Sequence, residues 1–254
     1  MGTKIVTVMP MNPKGSSGLP TGQAAYVLCD GENGRPLALI DGTALSHFKT
    51  AADSALGAKL LAREDAKTLL MVGAGALAPY MIQAHRSVRP SINRVLIWNR
   101  TRQKAENLAP ICGGEVAHDF QEAVGLADII CCATASTNPI VMGNWLKPGV
   151  HLDLVGGFTP DMRECDDVAV RRCRLFVDSW MFGVDQPGDI ADPLRRGVIT
   201  KDKIEGDLFD LCRPNVKIHR RNEDLTLFKN GGGGHLDLFT ALFISRQLGL
   251  GEGP

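Results

Sequence analysis

Short, largely apolar runs that are typical of β-strands mark the opening part of the chain. Three such runs occupy residues 4–9, 24–30 and 36–41. Asn33-Gly34, between the second and third runs, is a hairpin-turn signal because both residues tolerate positive φ. The opening segment therefore predicts an antiparallel meander.

From residue 50 onward helical spacing alternates with continuous apolar runs. A helix capped by Thr50 is predicted over residues 50–63. Strands are then predicted at 68–73, 94–99, near 116, 128–134, 151–157 and 175–180, and helices at 81–88, 102–108 and 120–126. Apolar strands separated by helices indicate a parallel sheet covered on both faces. The predicted fold class is α/β, a Rossmann-type doubly wound parallel sheet plus a partial, mostly antiparallel domain.

The tail returns to short elements, with a strand at 225–228, a glycine run at 231–234 and a terminal amphipathic helix. We expect two domains. Residues 63–231 form the doubly wound sheet, and residues 1–62 with 232–254 form the smaller, incomplete domain.

Charge and composition limit the kinds of partner that the chain is expected to bind. Lys+Arg 28 balance Asp+Glu 28, so no nucleic-acid partner is expected. Neither a secretory h-region nor an apolar run of about 20 residues occurs, which predicts a cytoplasmic protein with no membrane partner. The seven scattered cysteines indicate reduced, buried thiols, and the ligand spacing of the cysteines and the six histidines predicts no metal.

A glycine-rich turn follows the predicted strand at 68–73 and precedes a helix. Its residues fit G-x-G-x-x-A: Gly73, Ala74, Gly75, Ala76, Leu77 and Ala78. Gly73 permits the tight turn, Gly75 admits a pyrophosphate, and Ala78 allows close packing of helix on strand. The turn predicts an NAD(P) site, although the same residues could simply join strand to helix.

The ends of the next strands supply further candidates. Asn99, Arg100 and Thr101 stand where NAD-preferring sites usually hold a carboxylate, so NADPH is favoured over NADH. Arg100 could instead be a solvated residue at a helix start. Thr134, Ala135 and Ser136 follow another strand and are candidate cofactor contacts, or cap a loop.

Several motifs together resemble the ornithine cyclodeaminase and mu-crystallin family. They are DGTAL at 41–45, KTAA at 49–52, MVGAGALAP at 71–79, NRT at 99–101, DLVGGFTPDMRE at 153–164 and TLFK at 226–229. The resemblance implies a Rossmann domain beside a substrate and dimerisation domain, a homodimer, and a cofactor contact at Val155. Members usually carry several tens of residues before the strand at which this chain begins, so the substrate domain is expected to be incomplete.

The resemblance also implies candidate substrate residues. Lys4 matches a lysine that holds the substrate carboxylate, and Lys49 stands where an arginine commonly does so. Phe158 occupies the position of the cyclodeaminase aspartate and cannot move a proton, which favours the reductase branch. Asp161 is then the candidate for proton handling or iminium stabilisation, or is only a turn residue after Pro160.

The expected reaction is NAD(P)H-dependent reduction of a small cyclic imino acid, Δ1-pyrroline-2-carboxylate to L-proline or Δ1-piperideine-2-carboxylate to L-pipecolate. Two alternatives stay open. One is cyclodeamination of L-ornithine to L-proline and ammonia, and the other is a non-catalytic NADPH-binding protein, which the short N-terminal segment favours.

Overall fold

The computed structural model describes residues 1–9, 11–12, 18–20, 22–214, 216 and 218–249. Its contacts divide the chain into two compact units, one of Met1–Thr50 with Gly233–Pro254 and the other of Ala51–Gly232. The predicted boundary lies later, at 62/63. The difference arises because Ala51, Ala58 and Ala62 are buried in the core cluster of the second unit.

The first unit contains a three-stranded antiparallel sheet and a helix. Its strands, in the order β1-β2-β3, are β1 (Gly2–Val8), β2 (Gly22–Cys29) and β3 (Pro36–Asp41). The C-terminal helix is α8 (Gly234–Gln247), and its Ala241 is buried with Tyr26, Leu28 and Leu45. The predicted meander is therefore confirmed, including a left-handed glycine, Gly34, in the hairpin turn.

The first helix starts earlier than its alanine pattern predicts. Helix α1 spans Gly42–Leu61, so the cap predicted at Thr50 is wrong, since that residue lies inside the helix. The Asp41 carboxylate accepts hydrogen bonds from the amides of Thr43 and Ala44 and so satisfies the free donors of the first turn.

The second unit is built on an eight-stranded sheet in which every strand pair is parallel. The strands are β4 (Thr68–Val72), β5 (Arg94–Trp98), β6 (Glu115–Val116), β7 (Ile129–Cys132), β8 (His151–Leu154), β9 (Arg174–Val177), β10 (Ile204–Asp207) and β11 (Thr226–Lys229). The helices are α2 (Ala78–Val88), α3 (Arg102–Cys112), α4 (Phe120–Leu126), α5 (Asp167–Arg172), α6 (Gly188–Arg195) and α7 (Leu208–Leu211). The doubly wound α/β prediction is confirmed.

Strand order determines where a ligand can enter this sheet. The order is β10-β9-β11-β8-β7-β4-β5-β6, so the chain runs outward from β4 in one direction and from β7 in the other. At such a reversal the loops that leave the two strands diverge to opposite faces and open a crevice at their carboxyl ends. The glycine turn follows β4 directly and therefore lies at this crevice.

Four elements of the second unit escaped the sequence pattern: β10, α5, α6 and α7. All are short, and α6 contains Pro193. Helix α7 has only four residues, and a capping box between Asp207 and Asp210 stabilises it. Elements of this length present too few apolar positions for a period to emerge.

The seven cysteines are free thiols in the structure. Cys131, Cys132, Cys165 and Cys173 are buried as predicted, and burial raises the pKa of each. The prediction is wrong for Cys212, which is exposed, and for Cys29 and Cys112, which are only half-buried. Among the described residues, no helix combines the length and hydropathy that crossing a membrane requires.

Candidate functional site

The glycine turn at the end of β4 can be formed only with glycine at its first position. Gly73 has φ +107°, a region that L side chains rarely adopt, and its amide donates to the carbonyl of Trp98. A Cβ on Gly73 would lie 2.5 Å from the carbonyl oxygen of Ala133, at the end of β7. The turn is therefore packed directly against the neighbouring strand of the crevice.

Gly75 is a glycine for a different reason. A Cβ built there would meet no described atom within 4 Å, so nothing in the described chain excludes a side chain at this position. The amides of Gly75, Ala76 and Leu77 make no hydrogen bond to the described chain, and α2 starts next to them with Ala78 buried. A cradle of backbone amides at a helix N-terminus fits the pyrophosphate of a dinucleotide.

The side chain of Asn99 joins this turn to the end of β5. Its Oδ1 accepts from the amide of Ala74 at 3.0 Å, and its Nδ2 donates to the carbonyl of Thr101 at 2.9 Å. Both ends of the Asn99 side-chain amide thus bind backbone groups, a role that the sequence did not predict. The exposed Arg100 and the Thr101 hydroxyl, which does not cap α3, remain as groups that could face a 2′-phosphate.

The candidates after β7 lie at the same crevice, but their hydroxyls are engaged. Thr134 donates through both its amide and its Oγ1 to Glu164 Oε1, at 2.7 and 2.8 Å. Ser136 donates to the carbonyl of Asn138. Ala135 is exposed, and Val155, at the end of β8, is 9% exposed. Contacts to a ligand from this segment would therefore involve backbone and methyl groups.

Sequence reasoning missed a group of buried charges beside these loops. Glu164, Asp189 and Lys229 are each 0% exposed. Asp189 Oδ2 lies 3.3 Å from Lys229 Nζ, and Asp189 Oδ1 accepts from the amide of Glu164 at 2.7 Å. Burial raises the pKa of Glu164 to about 8, an effect that Lys229 opposes and Asp189 reinforces. One cation buried with two acids neutralises only one of them, so the group favours retaining a proton.

One signal in the sequence could have revealed this group. Lys229 ends the apolar run TLFK, and a lysine in a buried strand requires a buried partner. The sequence cannot say which of the many acidic residues is that partner, because Asp189 comes from α6, which the pattern did not predict.

A second buried polar network lies under the middle of the sheet. Asp153 accepts from Ser54 Oγ at 2.9 Å, and its Oδ2 lies 3.1 Å from His85 Nε2. Ligand atoms of His85, Cys131 and Asp153 lie within 4.8 Å of one another, a grouping that could hold a metal ion. These hydrogen bonds already satisfy the Asp153 carboxylate. That the chain binds no metal stays a prediction.

Asp161 and Phe158 both lie in the loop that leaves β8. Asp161 is exposed, and its Oδ1 accepts from Thr159 Oγ1 at 2.6 Å, which lowers the pKa of the carboxyl below its ordinary value. A carboxyl with a lowered pKa stays ionised at neutral pH. Of the two roles suggested for Asp161, stabilisation of a cation fits this better than proton donation. Phe158 is 59% exposed.

The two candidate lysines belong to the first unit. Lys4, on β1, donates to Ser46 Oγ at 2.5 Å and pairs with Asp237 of α8 at 3.0 Å. Lys49 is 9% exposed and lies one turn after Ser46 on the same face of α1. Lys4 therefore already has an anionic partner, which the sequence reasoning did not foresee.

The parallel sheet, its reversal point and the amide cradle define a Rossmann-type fold of the kind that binds dinucleotides. A family model for the ornithine cyclodeaminase/mu-crystallin family matches residues 1–248, and the chain belongs to that family.

Known relatives agree with this placement. The chain is 43% identical over 252 residues to a Δ1-pyrroline-2-carboxylate reductase of Paracoccus denitrificans, covering 97% of this chain and 79% of that protein. The reductase of the same name from Thermococcus litoralis, solved in complex with NADH and L-proline, has a TM-score of 0.89 and 32% identity, covering 100% of this chain and 80% of that one. An archaeal alanine dehydrogenase dimer with bound NAD has a TM-score of 0.90 and 25% identity, covering 99% and 79%.

Proposed function

We propose that this protein uses NAD(P)H to reduce a small cyclic imino acid, Δ1-pyrroline-2-carboxylate to L-proline or Δ1-piperideine-2-carboxylate to L-pipecolate. The observation that carries the proposal is the glycine turn at the strand-order reversal, with its amide cradle and the open position at Gly75. The names of the Paracoccus and Thermococcus relatives support the same substrate class.

In this proposal the residues at the carboxyl end of the sheet would hold the cofactor. The turn from Gly73 to Ala78 would bind the diphosphate through the amides of Gly75, Ala76 and Leu77 and the positive end of α2. Backbone and methyl groups of Thr134, Ala135, Ser136 and Val155 would contact the nicotinamide. When bound, NAD(P)H supplies the hydride that adds to C2 of the protonated C=N bond.

The chain's own charged residues orient the substrate in this proposal. Lys4 and Lys49 would hold the substrate carboxylate through charge-assisted contacts, and Lys4 would exchange its Asp237 partner for the substrate. The ionised Asp161 would stabilise the positive charge on the imine nitrogen, which favours its protonated, reactive form.

The experiment that tests the proposal uses the open position at Gly75. A Gly75→Val side chain enters space that no described atom occupies, so folding should be unaffected while the pyrophosphate is blocked. We expect loss of NAD(P)H binding and of imine-dependent NAD(P)H oxidation at an unchanged Tm. Gly22→Val is the matched control, since its Cβ is equally open and lies in the first unit. An inert wild-type protein with both imines, or a Gly75→Val variant as active as wild type, would overturn the proposal.

We further propose that NADPH is preferred over NADH. No carboxylate stands at positions 99–101 to repel a 2′-phosphate, and the Arg100 guanidinium is exposed. Arg100→Ala should raise the KM for NADPH about tenfold and leave the KM for NADH within about twofold. Arg102→Ala is the control, because that guanidinium is already paired with Glu106 at 2.8 Å. Equal effects of Arg100→Ala on both cofactors would contradict the preference.

The cyclodeaminase alternative makes a separable prediction. It requires a proton-transferring group where Phe158 presents an exposed benzyl side chain. We expect no ammonia from L-ornithine with catalytic NAD. Release of ammonia without net NAD(P)H oxidation would replace the reductase proposal by this alternative.

A homodimer is part of the proposal. Phe239 and Phe243, one turn apart on α8, are 55% and 63% exposed, and such an apolar stripe is typical of an interface. Light scattering of the purified chain should give twice the monomer mass, and Phe243→Glu should shift it to the monomer value.

A further inference from the structure

The buried Glu164 side chain accepts hydrogen bonds from two of the loops that carry candidate cofactor residues. Its Oε1 receives the amide and hydroxyl of Thr134, and its Oε2 receives the amide of Gly156 at 2.7 Å. Thr134 follows β7 and Gly156 follows β8, so one carboxyl group joins the exits of two adjacent strands.

The close packing around the Glu164 carboxyl group leaves no room for a different distance between the exits of β7 and β8. A Cβ on Gly156 would lie 2.5 Å from Glu164 Oε1 and would also overlap the backbone of Thr134. A Cβ on Gly157 would overlap the carboxylate of Asp189. The two glycines therefore bring the exit of β8 into direct contact with the acidic side chains.

The backbone of Glu164 is in turn fixed by two buried charged residues. The Glu164 amide donates to Asp189 Oδ1, and Asp189 Oδ2 faces the ammonium of Lys229, the last residue of β11. Burying such groups is unfavourable unless each is paired. A glutamate kept in this position at that cost is better explained by a required geometry than by stability alone.

We propose that Glu164 is the positioning residue of the cofactor site, fixing Thr134 against Gly156 so that the exits of β7 and β8 keep the single spacing that admits the nicotinamide. The inference rests on the proposed function. It assigns no proton transfer and no ligand contact to Glu164, whose effect passes through the two backbone amides.

The test compares carboxylates at the two ends of the same sheet. Glu164→Gln keeps the size of the side chain, but its NH2 group cannot accept from the second of the two loops. Asp128, directly before β7, is the control, since its Oδ2 accepts from the amides of Lys67 and Thr68 at the amino end of β4. Asp128→Asn keeps one acceptor oxygen for these two amides and loses the ion pair with Lys147, so it removes a carboxylate charge away from the crevice.

We expect Glu164→Gln to raise the Kd and KM for NAD(P)H by about tenfold or more, as for a buried donor left without its acceptor. Turnover at saturating cofactor should change much less. Glu164→Asp, which retains two acceptor oxygens, should recover part of the affinity. Asp128→Asn should lower Tm and leave the cofactor Kd within about twofold.

Hydrogen exchange separates this inference from the proposed function. At least one of the amides of Thr134 and Gly156 should lose protection in Glu164→Gln even without cofactor, and both should keep it in Asp128→Asn. Unchanged protection, or a wild-type Kd in Glu164→Gln, would overturn the positioning role while leaving the reductase proposal intact. A wild-type protein that binds no NAD(P)H would overturn the proposed function, and the amide protection would still decide whether Glu164 holds the two loops.

Discussion

The two ends of the eight-stranded sheet carry ionic groups of opposite character. At the carboxyl end, Glu164, Asp189 and Lys229 are fully buried and hold the loops that leave β7, β8 and β11. At the amino end the charges form partly exposed pairs: Lys147–Asp128, Arg94–Glu115, Arg174–Glu205 and Arg174–Asp224.

The difference follows from what each end has to do. Exposed pairs cost little desolvation and contribute ~0–1 kcal/mol each, so they suit an end that only closes the fold. Buried charges are costly and persist where their geometry is needed. In a parallel sheet the ligand crevice opens at the carboxyl ends of the strands, and the buried charges of this chain lie at that end.

The largest expected effect is on stability and comes from the buried cation. Lys229→Met leaves Asp189 and Glu164 without their cation, so the free energy of unfolding should fall by about 3–5 kcal/mol in urea titrations. Lys147→Met, which removes the half-exposed partner of Asp128, should cost less than ~1 kcal/mol. Similar losses in the two variants would show that the ends do not differ as described.

A matched pair of glycines tests function at each end. Gly73 and Gly149 have φ +107° and +80°, and a Cβ on either overlaps a carbonyl oxygen, of Ala133 and Asn222 respectively. Alanine at either position should cost about 1–3 kcal/mol of stability. Only Gly73→Ala should also weaken NAD(P)H binding, by more than about tenfold when titrated on folded protein. Equal cofactor affinities in the two variants would remove the special role of the carboxyl end.

The amino-acid pattern predicted the strand, glycine turn and helix at the carboxyl end of the sheet, but not the buried charges there. The β4 strand, the glycine turn and α2 are continuous in the chain, so local apolar spacing and glycine positions were enough to predict them. The strand-order reversal follows from the same alternation of strands and helices.

The buried triad could not be predicted because its members are far apart in the chain. Glu164 lies in a loop, Asp189 in an unpredicted helix and Lys229 at a strand end, and only the folded sheet brings them together. Asn99 is a milder case, since its position was predicted but its contact with Ala74 depends on how two strand ends approach each other. Local patterns specify elements, whereas charges paired across elements depend on the fold.

The carboxyl groups of the two ends should also respond oppositely to pH. Burial raises the pKa of Glu164 to about 8, so the folded state holds a proton that the unfolded state loses near pH 4.5. Stability from this group is complete below that value and is lost as pH rises through about 8. For Asp128 burial acts to raise the pKa, but Lys147 and the amides of Thr68 and Lys67 outweigh it, so its pKa is lowered and its contribution is lost toward acid.

Urea titrations at several pH values can separate these contributions. The stability difference between wild type and Glu164→Gln should fall between about pH 4.5 and 8 and level off above, whereas the difference between wild type and Asp128→Asn should change only in acid and in the opposite direction. Subtracting each variant from wild type cancels the histidines common to both. A Glu164→Gln difference that is flat between about pH 4.5 and 8 would contradict the raised pKa.

The smallest effect is expected for the exposed pair between Arg94 and Glu115, whose side chains are 44% and 60% exposed. Glu115→Gln should change the free energy of unfolding by less than ~1 kcal/mol, because solvent already screens the pair. The change should disappear in high salt, since the Debye length there falls to about 3 Å at 1 M. The cofactor Kd should not move, because β5 and β6 begin here and the crevice lies at their other end. A salt-resistant loss, or a weakened cofactor Kd, would mean that charges at the amino end are coupled to the site through the length of the strands, and the contrast between the two ends would no longer hold.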